Sequence, residues 1–206
     1  NRREFERQLQ FTLDRVRQGD PGGALCFIDL DLFKAVNDTC GHLAGDELLR
    51  QVSLMLRKAV RSQDLLARIG GDEFALLLRG CTLEKASDIA DHIRRTMRDF
   101  HFVWEDKRMA IGASLGVVQV ADDSGDLNDV LRIADVACRV AKEEGRNRVH
   151  VLRPNDLTVA RRQHEINWLQ RINQAISENH FMLYGQWIRP LAERHKTPHC
   201  EILLRL

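Results

Sequence analysis

Three carboxylates carry the chemistry legible in this chain. Asp72 and Glu73 follow Gly70 and Gly71 between two apolar runs, and a Gly-Gly pair suits the tight turn of a two-residue hairpin, which would lift both carboxylates to its tip. Asp29 ends an apolar run from Ala24 to Leu30 that reads as a buried strand; a carboxylate there is costly unless it is paired or bound to a cation. If these strands are neighbours, three oxygen-bearing side chains converge on one end of a sheet. Hard oxygen donors without histidine or thiolate suit magnesium or manganese carrying a phosphate chain. Alone, Asp72-Glu73 reads best as a solvated turn, and its coincidence with Asp29 is what favours a site.

The segment from Phe27 to Asp46 adds the groups a purine nucleotide needs. Lys34 can meet phosphate oxygens, while Asn37 and Asp46 offer the amide and carboxylate that hydrogen-bond a guanine edge. The plainer reading gives Asn37, Asp38 and Gly41 to turn chemistry and Asp46 to the first turn of a helix, where its charge favours the dipole. That reading explains each residue singly but not their order. No G-x-x-x-x-G-K-[ST] pattern exists, so a P-loop is excluded as the source of phosphate binding.

The elements that must position these groups follow from hydrophobic periodicity. Phe5, Leu9, Leu13 and Val16 stripe a first helix, ended by Gly19 to Gly23. After a loop from Asn37 to Gly45, Leu48, Val52, Met55, Leu56 and Ala59 stripe a second. A hairpin follows near 65–69 and 74–79, then a helix through Ala86, Ile89, Ala90, Ile93 and Met97. Ile111, Ala113, Leu115 and Val117 alternate as a strand; Leu127 to Ala141 form another helix, ending near Gly145, before a short strand from Arg148 to Leu152. The order predicts an α/β sandwich with a mixed sheet and flanking helices. Residues 153–163 read as a linker, and beyond it come a helix striped by Ile166, Leu169, Ile172 and Ile176 and two strands, Phe181 to Trp187 and Cys200 to Leu206.

Composition narrows the function further. With 31 basic and 30 acidic residues there is no global field of the kind that marks a nucleic-acid or polybasic membrane binder, so any anion is held locally. Five scattered cysteines, an odd count without C-x-x-C spacing, read as reduced thiols of a cytoplasmic protein. No stretch approaches the ~20 apolar residues of a membrane span, so a soluble chain is expected, from a parent that can still be membrane-anchored. His42 is read as a helix-start packing residue, Trp104 as partly buried in a strand, and Arg94-Arg95 as a solvated face.

Five blocks in order, Asn1 to Phe5, Asp29 to Asp46, Gly70 to Phe74, Ser114 to Gly116 and Ala141 to Asn147, resemble the GGDEF-type diguanylate cyclase domain over residues 1–152. The resemblance implies a palm-like, nucleotidyl-cyclase type sheet. It implies that Asp29 and Asp72, with the backbone carbonyl of Leu30, ligate two magnesium or manganese ions, and that Glu73 acts near the second. Phe33 and Lys34 would lie along the triphosphate beside Gly70 and Gly71, Asn37 and Asp46 would read guanine, and Lys142 and Arg146 would clamp the terminal phosphates. The implied reaction joins two GTP into cyclic di-GMP with release of two pyrophosphates, and needs a homodimer because one domain holds one GTP. Arg61 and Asp64 stand at the family's spacing for an R-x-x-D product site, which implies inhibition by cyclic di-GMP; elsewhere R-x-x-D is usually a weak surface ion pair.

Residues 164–206 resemble the opening of an EAL-type phosphodiesterase domain, with Gln186, Glu201 and Arg205 at binding positions, Trp187 where the family usually has proline, and Ile202 in place of a small residue. That fold is a barrel of ~250 residues. No phosphodiesterase activity is therefore expected of this chain, and two unpaired barrel strands should pack on a neighbour or be poorly ordered. Two further readings compete with an active cyclase: a silent module that binds GTP or cyclic di-GMP and tunes an attached phosphodiesterase, and a palm-like nucleotidyltransferase without guanine preference.

Overall fold

The computed structural model describes residues 1–153, 172, 175–178, 181–188 and 199–205. The chain divides into two compact units, Asn1–Leu157 and Thr158–Leu206. In the first, the elements run α1 (Arg2–Arg17), β1 (Gly23–Asp31), α2 (Phe33–Cys40), α3 (His42–Lys58), β2 (Leu65–Arg68), β3 (Glu73–Arg79), α4 (Leu83–Asp99), β4 (His101–Trp104), β5 (Lys107–Ala110), β6 (Gly112–Val120), α5 (Leu127–Glu143) and β7 (Val149–Leu152). Five strands form a mixed sheet in the order β2-β3-β1-β6-β7, antiparallel except for β6 and β7, while β4 and β5 pair as a separate hairpin.

Strand β1 is central and buried along nearly its whole length. Its alternation splits the core into two layers. Ala24, Cys26, Ile28 and Leu30 join one cluster with Val52 and Leu56 of α3, Ala90 and Ile93 of α4, and Phe102 of β4. The odd-numbered residues of β1 face the opposite layer, where α5 packs on β1, β6 and β7. This layer is close because α5 turns small residues inward, Ala134, Ala137, Cys138 and Ala141, all buried, and because β6 carries Gly116. A β-carbon at Gly116 would come within 2.2 Å of the Cys138 backbone nitrogen and 2.6 Å of the Ala134 carbonyl oxygen.

The helices begin where the chain offers caps. Asn1 accepts from the Glu4 amide at 3.0 Å, Thr82 from Lys85 at 3.3 Å, and Asp126 and Asp129 make a reciprocal capping box at α5; each cap satisfies an amide that the first turn leaves without a partner.

Two local expectations are corrected. The stretch from Asn37 to Gly45 is no loop: α2 already runs from Phe33, and α3 starts at His42. Turn-forming residues such as Asn37 and Asp38 are tolerated there because only Val36 of this short helix is buried. The β4–β5 hairpin went unforeseen, since its exposed polar tip carries little periodicity, although Trp104 does lie half-buried in a strand. His42 is exposed at the start of α3, because the apolar stripe that packs α3 begins only at Ala44. Arg94 and Arg95 share Asp91, at 2.7 and 2.5 Å. The described cysteines, all five, are free, and no described helix is long and apolar enough to cross a membrane.

In the second unit β8 (Met182–Ile188) and β9 (His199–Arg205) pair antiparallel with each other, so the expectation of unpaired strands is corrected. Met182, Leu183, Trp187 and Ile202 are exposed. Most of the helix expected through Ile166 and Leu169 lies outside the described residues, although Ile172 and residues 175–177 are helical.

Gly116→Ala is expected to destabilise the domain by about 1–3 kcal/mol, the usual cost of overpacking, because backbone must move to admit the methyl group. Gly71→Ala, which meets nothing within 4 Å, should change stability by less than about 0.5 kcal/mol; urea unfolding of the two variants checks the contrast.

Candidate nucleotide and cation site

The site grows from the end of β1. Asp29 and Asp31, two residues apart, fall on the face covered by α5. Register sets Glu73 directly across from Asp29 on one side and Ser114 across from it on the other. The Leu30 amide donates to the Asp72 carbonyl at 3.2 Å, which fastens the loop before β3 to the strand end. Asp29 of β1 and Glu73 of β3 are therefore cross-strand neighbours, with Asp72 in the connection just before β3.

Lys142 completes this group. It lies one helical turn beyond Cys138 on the buried stripe of α5, and its ammonium pairs with Asp29 Oδ2 at 2.5 Å. Asp29 is 7% exposed. Burial pushes its carboxyl from the ordinary 3.8 up to about 6; Lys142 pulls the other way, and the charges of Asp72 and Glu73 add to the rise. Burial alone would lower the Lys142 ammonium, but Asp29 carries it above its ordinary value. A cavity of 220 Å³ opens here, lined by Asp29, Glu73, Asp135, Cys138, Arg139 and Lys142 among others.

The donor set, carboxylate oxygens only with one of them buried, suits a hard divalent cation. The convergence of three carboxylates on one point is nevertheless not seen in this structure. Among the described residues no group of three or more acidic, histidine or cysteine side chains is arranged around a common point. Two contacts account for this. Lys142 supplies the counter-charge to Asp29, and the Glu73 carboxylate folds back over Gly70, where an added β-carbon would meet Glu73 Oε2 at 2.2 Å.

The turn itself differs from expectation. Ile69 to Asp72 separate β2 from β3, so the connection is longer than a two-residue hairpin, and neither Gly70 nor Gly71 takes a positive φ. Arg68 braces it, donating from Nε to the carbonyls of Gly70 at 3.1 Å and Gly71 at 3.0 Å. Gly70 is thus needed for the approach of Glu73, while Gly71 stands in open space.

Phe33 and Lys34 open α2, half-buried and exposed respectively. The residue before them, Leu32, has φ 65° and provides no side-chain cap, so the first amides of α2 are available to an anion. A left-handed leucine that is 65% exposed costs about 1 kcal/mol or more. Asn37 sits a turn further on with Oδ1 packed against Gly45 of α3, beside exposed Asp46. Asp46 lies beyond the first turn of α3, not within it, so the dipole explanation for its charge falls away. Lys107 from the β4–β5 hairpin donates to the Thr39 carbonyl at 2.9 Å and holds the far end of α2.

Arg146 is exposed just past α5, in a left-handed conformation with φ 62°. Arg61 and Asp64 do not form an ion pair; buried Asp64 instead accepts from the Arg61 backbone amide at 3.0 Å, leaving the guanidinium in solvent. In the second unit Gln186 and Glu201 stand directly opposite each other, and Arg205 opposite Met182. The sequence reading missed Arg68, Lys107 and Asp31. For Asp31 the signal was present: strand alternation places it on the same face as Asp29.

A central acidic strand end, flanked by an acidic turn and a helix-borne lysine, thus sits in an α/β domain with a mixed sheet and flanking helices. Residues 1–148 match the family described as Diguanylate cyclase, GGDEF domain, and the chain belongs to that family. It is 42% identical over 188 residues to the probable diguanylate cyclase DgcE of Escherichia coli, covering 91% of this chain and 17% of that one. It is 36% identical over 209 residues to the cyclic di-GMP phosphodiesterase PdeB of Shewanella oneidensis, covering 100% of this chain and 24% of that one. The chain thus spans about a quarter or less of the length of these relatives. Among solved structures, the GGDEF domain of YfiN (TpbB) from Pseudomonas aeruginosa superposes with a TM-score of 0.72 at 32% identity, covering 78% of this chain and 94% of that one.

Because burial raises Asp29 above its unfolded value, the folded chain keeps a proton there that the unfolded chain releases between 3.8 and about 6, and this group's contribution to stability falls as pH rises through that window. Lys142→Met removes the counter-charge. Its expected cost at about pH 8 is about 1–2 kcal/mol, below that of a fully buried pair because Lys142 is partly solvated, and the cost should shrink at about pH 5. Urea unfolding at both pH values checks this; equal losses would contradict it.

Proposed function

We propose that residues 1–152 form a diguanylate cyclase domain that condenses two GTP into cyclic di-GMP and releases two pyrophosphates. The observation that carries the reading is the buried Asp29 carboxylate beside Glu73 and Lys142 at the mouth of the 220 Å³ cavity, in a chain of the GGDEF family.

In this reading Asp29, Asp72, Glu73 and the Leu30 carbonyl hold two magnesium or manganese ions. The ions, when bound, lower the charge cost at the attacked phosphorus and favour ionisation of the 3′-hydroxyl. The chain's own groups position the nucleotide. The first amides of α2, at Phe33 and Lys34, and the Lys34 ammonium take phosphate oxygens, and Asn37, packed against Gly45 of α3, reads the guanine edge together with Asp46. Lys142, which pairs with Asp29, would join Arg146 on the departing pyrophosphate. One site seats one GTP, so two copies must face each other before either 3′-hydroxyl reaches the opposite α-phosphorus. Arg61, with its guanidinium in solvent above the turn that Asp64 braces, is suited to bind product and inhibit.

The second unit reads as the opening of an EAL-type domain joined through residues 153–163, without phosphodiesterase activity of its own. In this reading the domain serves a bifunctional cyclic di-GMP turnover protein in the cytoplasm, and it contacts neither nucleic acid nor membrane. A silent regulatory module is the second reading, favoured by one observation: the relative matched along the whole chain is named for the opposite activity.

Incubation with GTP and magnesium over a protein-concentration series should yield cyclic di-GMP with specific activity rising with concentration. Asp72→Ala should lower it at least about a hundredfold, the scale of losing one preorganised electrostatic group. GTP bound but never converted would favour the regulatory module.

A further inference from the structure

Asp31 is the buried charge that the proposed chemistry leaves without a task. It is 6% exposed, two residues beyond Asp29, yet it does not line the cavity. Both its oxygens are occupied. Oδ1 accepts from Ser114 Oγ at 2.7 Å, and Oδ2 accepts from the Asn147 backbone amide at 2.9 Å. Room for this comes from Gly112, its cross-strand partner, where a β-carbon would come within 2.9 Å of Oδ2. Ser114 is wholly buried, and its carbonyl accepts from Cys138 Sγ of α5 at 3.3 Å.

One carboxylate therefore ties the end of β1 to β6 and to the turn that follows α5. That turn contains Arg146 and Asn147, consecutive non-glycine residues with φ of 62° and 46°, a conformation that persists only where its surroundings enforce it. The Arg146 amide is fixed to the Ala141 carbonyl at 3.1 Å, and the next amide is fixed to Asp31. A charged acceptor holds that amide more firmly than a neutral one.

We propose that Asp31 is a positioning residue for Arg146: through Asn147 it locks the left-handed turn that presents the Arg146 guanidinium to the terminal phosphates of the nucleotide. The proposal rests on the reading of Arg146 as a phosphate clamp. Asp29 and Asp31 thus divide two duties on one strand face, the first serving the cation site and the second serving the turn. The same bond gives Ser114 and Asn147, which the chemistry did not use, a role as its anchors.

The test titrates the chain with GTP, GDP and GMP in the presence of magnesium, comparing wild type, Asp31→Asn, Arg146→Ala and the double variant. Asp31→Asn is expected to weaken GTP about tenfold, within what a ~1 Å misplacement can cost, and to leave GMP within about twofold. The double variant should bind GTP no worse than Arg146→Ala alone, the non-additivity of residues acting through one another. If Asp31→Asn does not fold, Ser114→Ala carries the same GTP-selective pattern at smaller amplitude, about threefold for one lost hydrogen bond. Equal losses for all three nucleotides, or additive losses in the double variant, overturn the proposal while leaving the nucleotide reading intact. A wild-type chain that binds none of the three overturns that reading and this inference together.

Discussion

The pairing of buried Asp29 with Lys142 across the β1–α5 interface is the constraint around which the domain is arranged. A carboxylate at the end of a central strand destabilises the fold unless a positive charge reaches it. The charge comes from a helix, so the helix must lie close, and closeness is set by Gly116 below and by the alanines of α5 above. Packing and electrostatics are therefore one problem at this point. A cation and a nucleotide would enter a place that the protein already keeps electrically strained, with Asp29 near 6.

The sheet register distributes the remaining roles. With Glu73 opposite Asp29 and Ser114 on its other side, the polar groups share one face and one end, while Ile28 and Leu30 bury into the opposite layer. The left-handed turn at Leu32 leads β1 directly into α2, which packs on α3. Left-handed non-glycine residues occur at Leu32, Arg146 and Asn147, in the connections that follow β1 and α5, and at Glu105 in the β4–β5 turn, where the surrounding structure must hold them.

Much of this was legible in the sequence, for identifiable reasons. Ala24 to Leu30 had to be a buried strand, and the stripes of α1, α4 and α5 had to be helices, because periodicity reports burial directly. The adjacency of Asp29 and Glu73 was legible only on the condition that their strands are neighbours, which the pairing of β1 with β3 meets. What was not legible depends on side-chain packing. Nothing in residue order shows that Lys142 would pair with Asp29, that Glu73 would fold over Gly70, or that Asp64 would accept from the Arg61 amide. The helix at Phe33 was hidden by turn-forming residues, which it tolerates because only Val36 is buried. The β8–β9 strands were legible as strands, but their mutual pairing was not.

The central claim is that the Asp29 end of β1 takes a divalent ion together with guanosine triphosphate. Its most direct measurement is paramagnetic line broadening of backbone amides by manganese in the presence of a non-hydrolysable GTP analogue. The account predicts broadening centred on Asp29, Leu30, Asp72 and Glu73 and extending to Lys34 and Lys142. Broadening centred elsewhere, or none at saturating nucleotide, would contradict it.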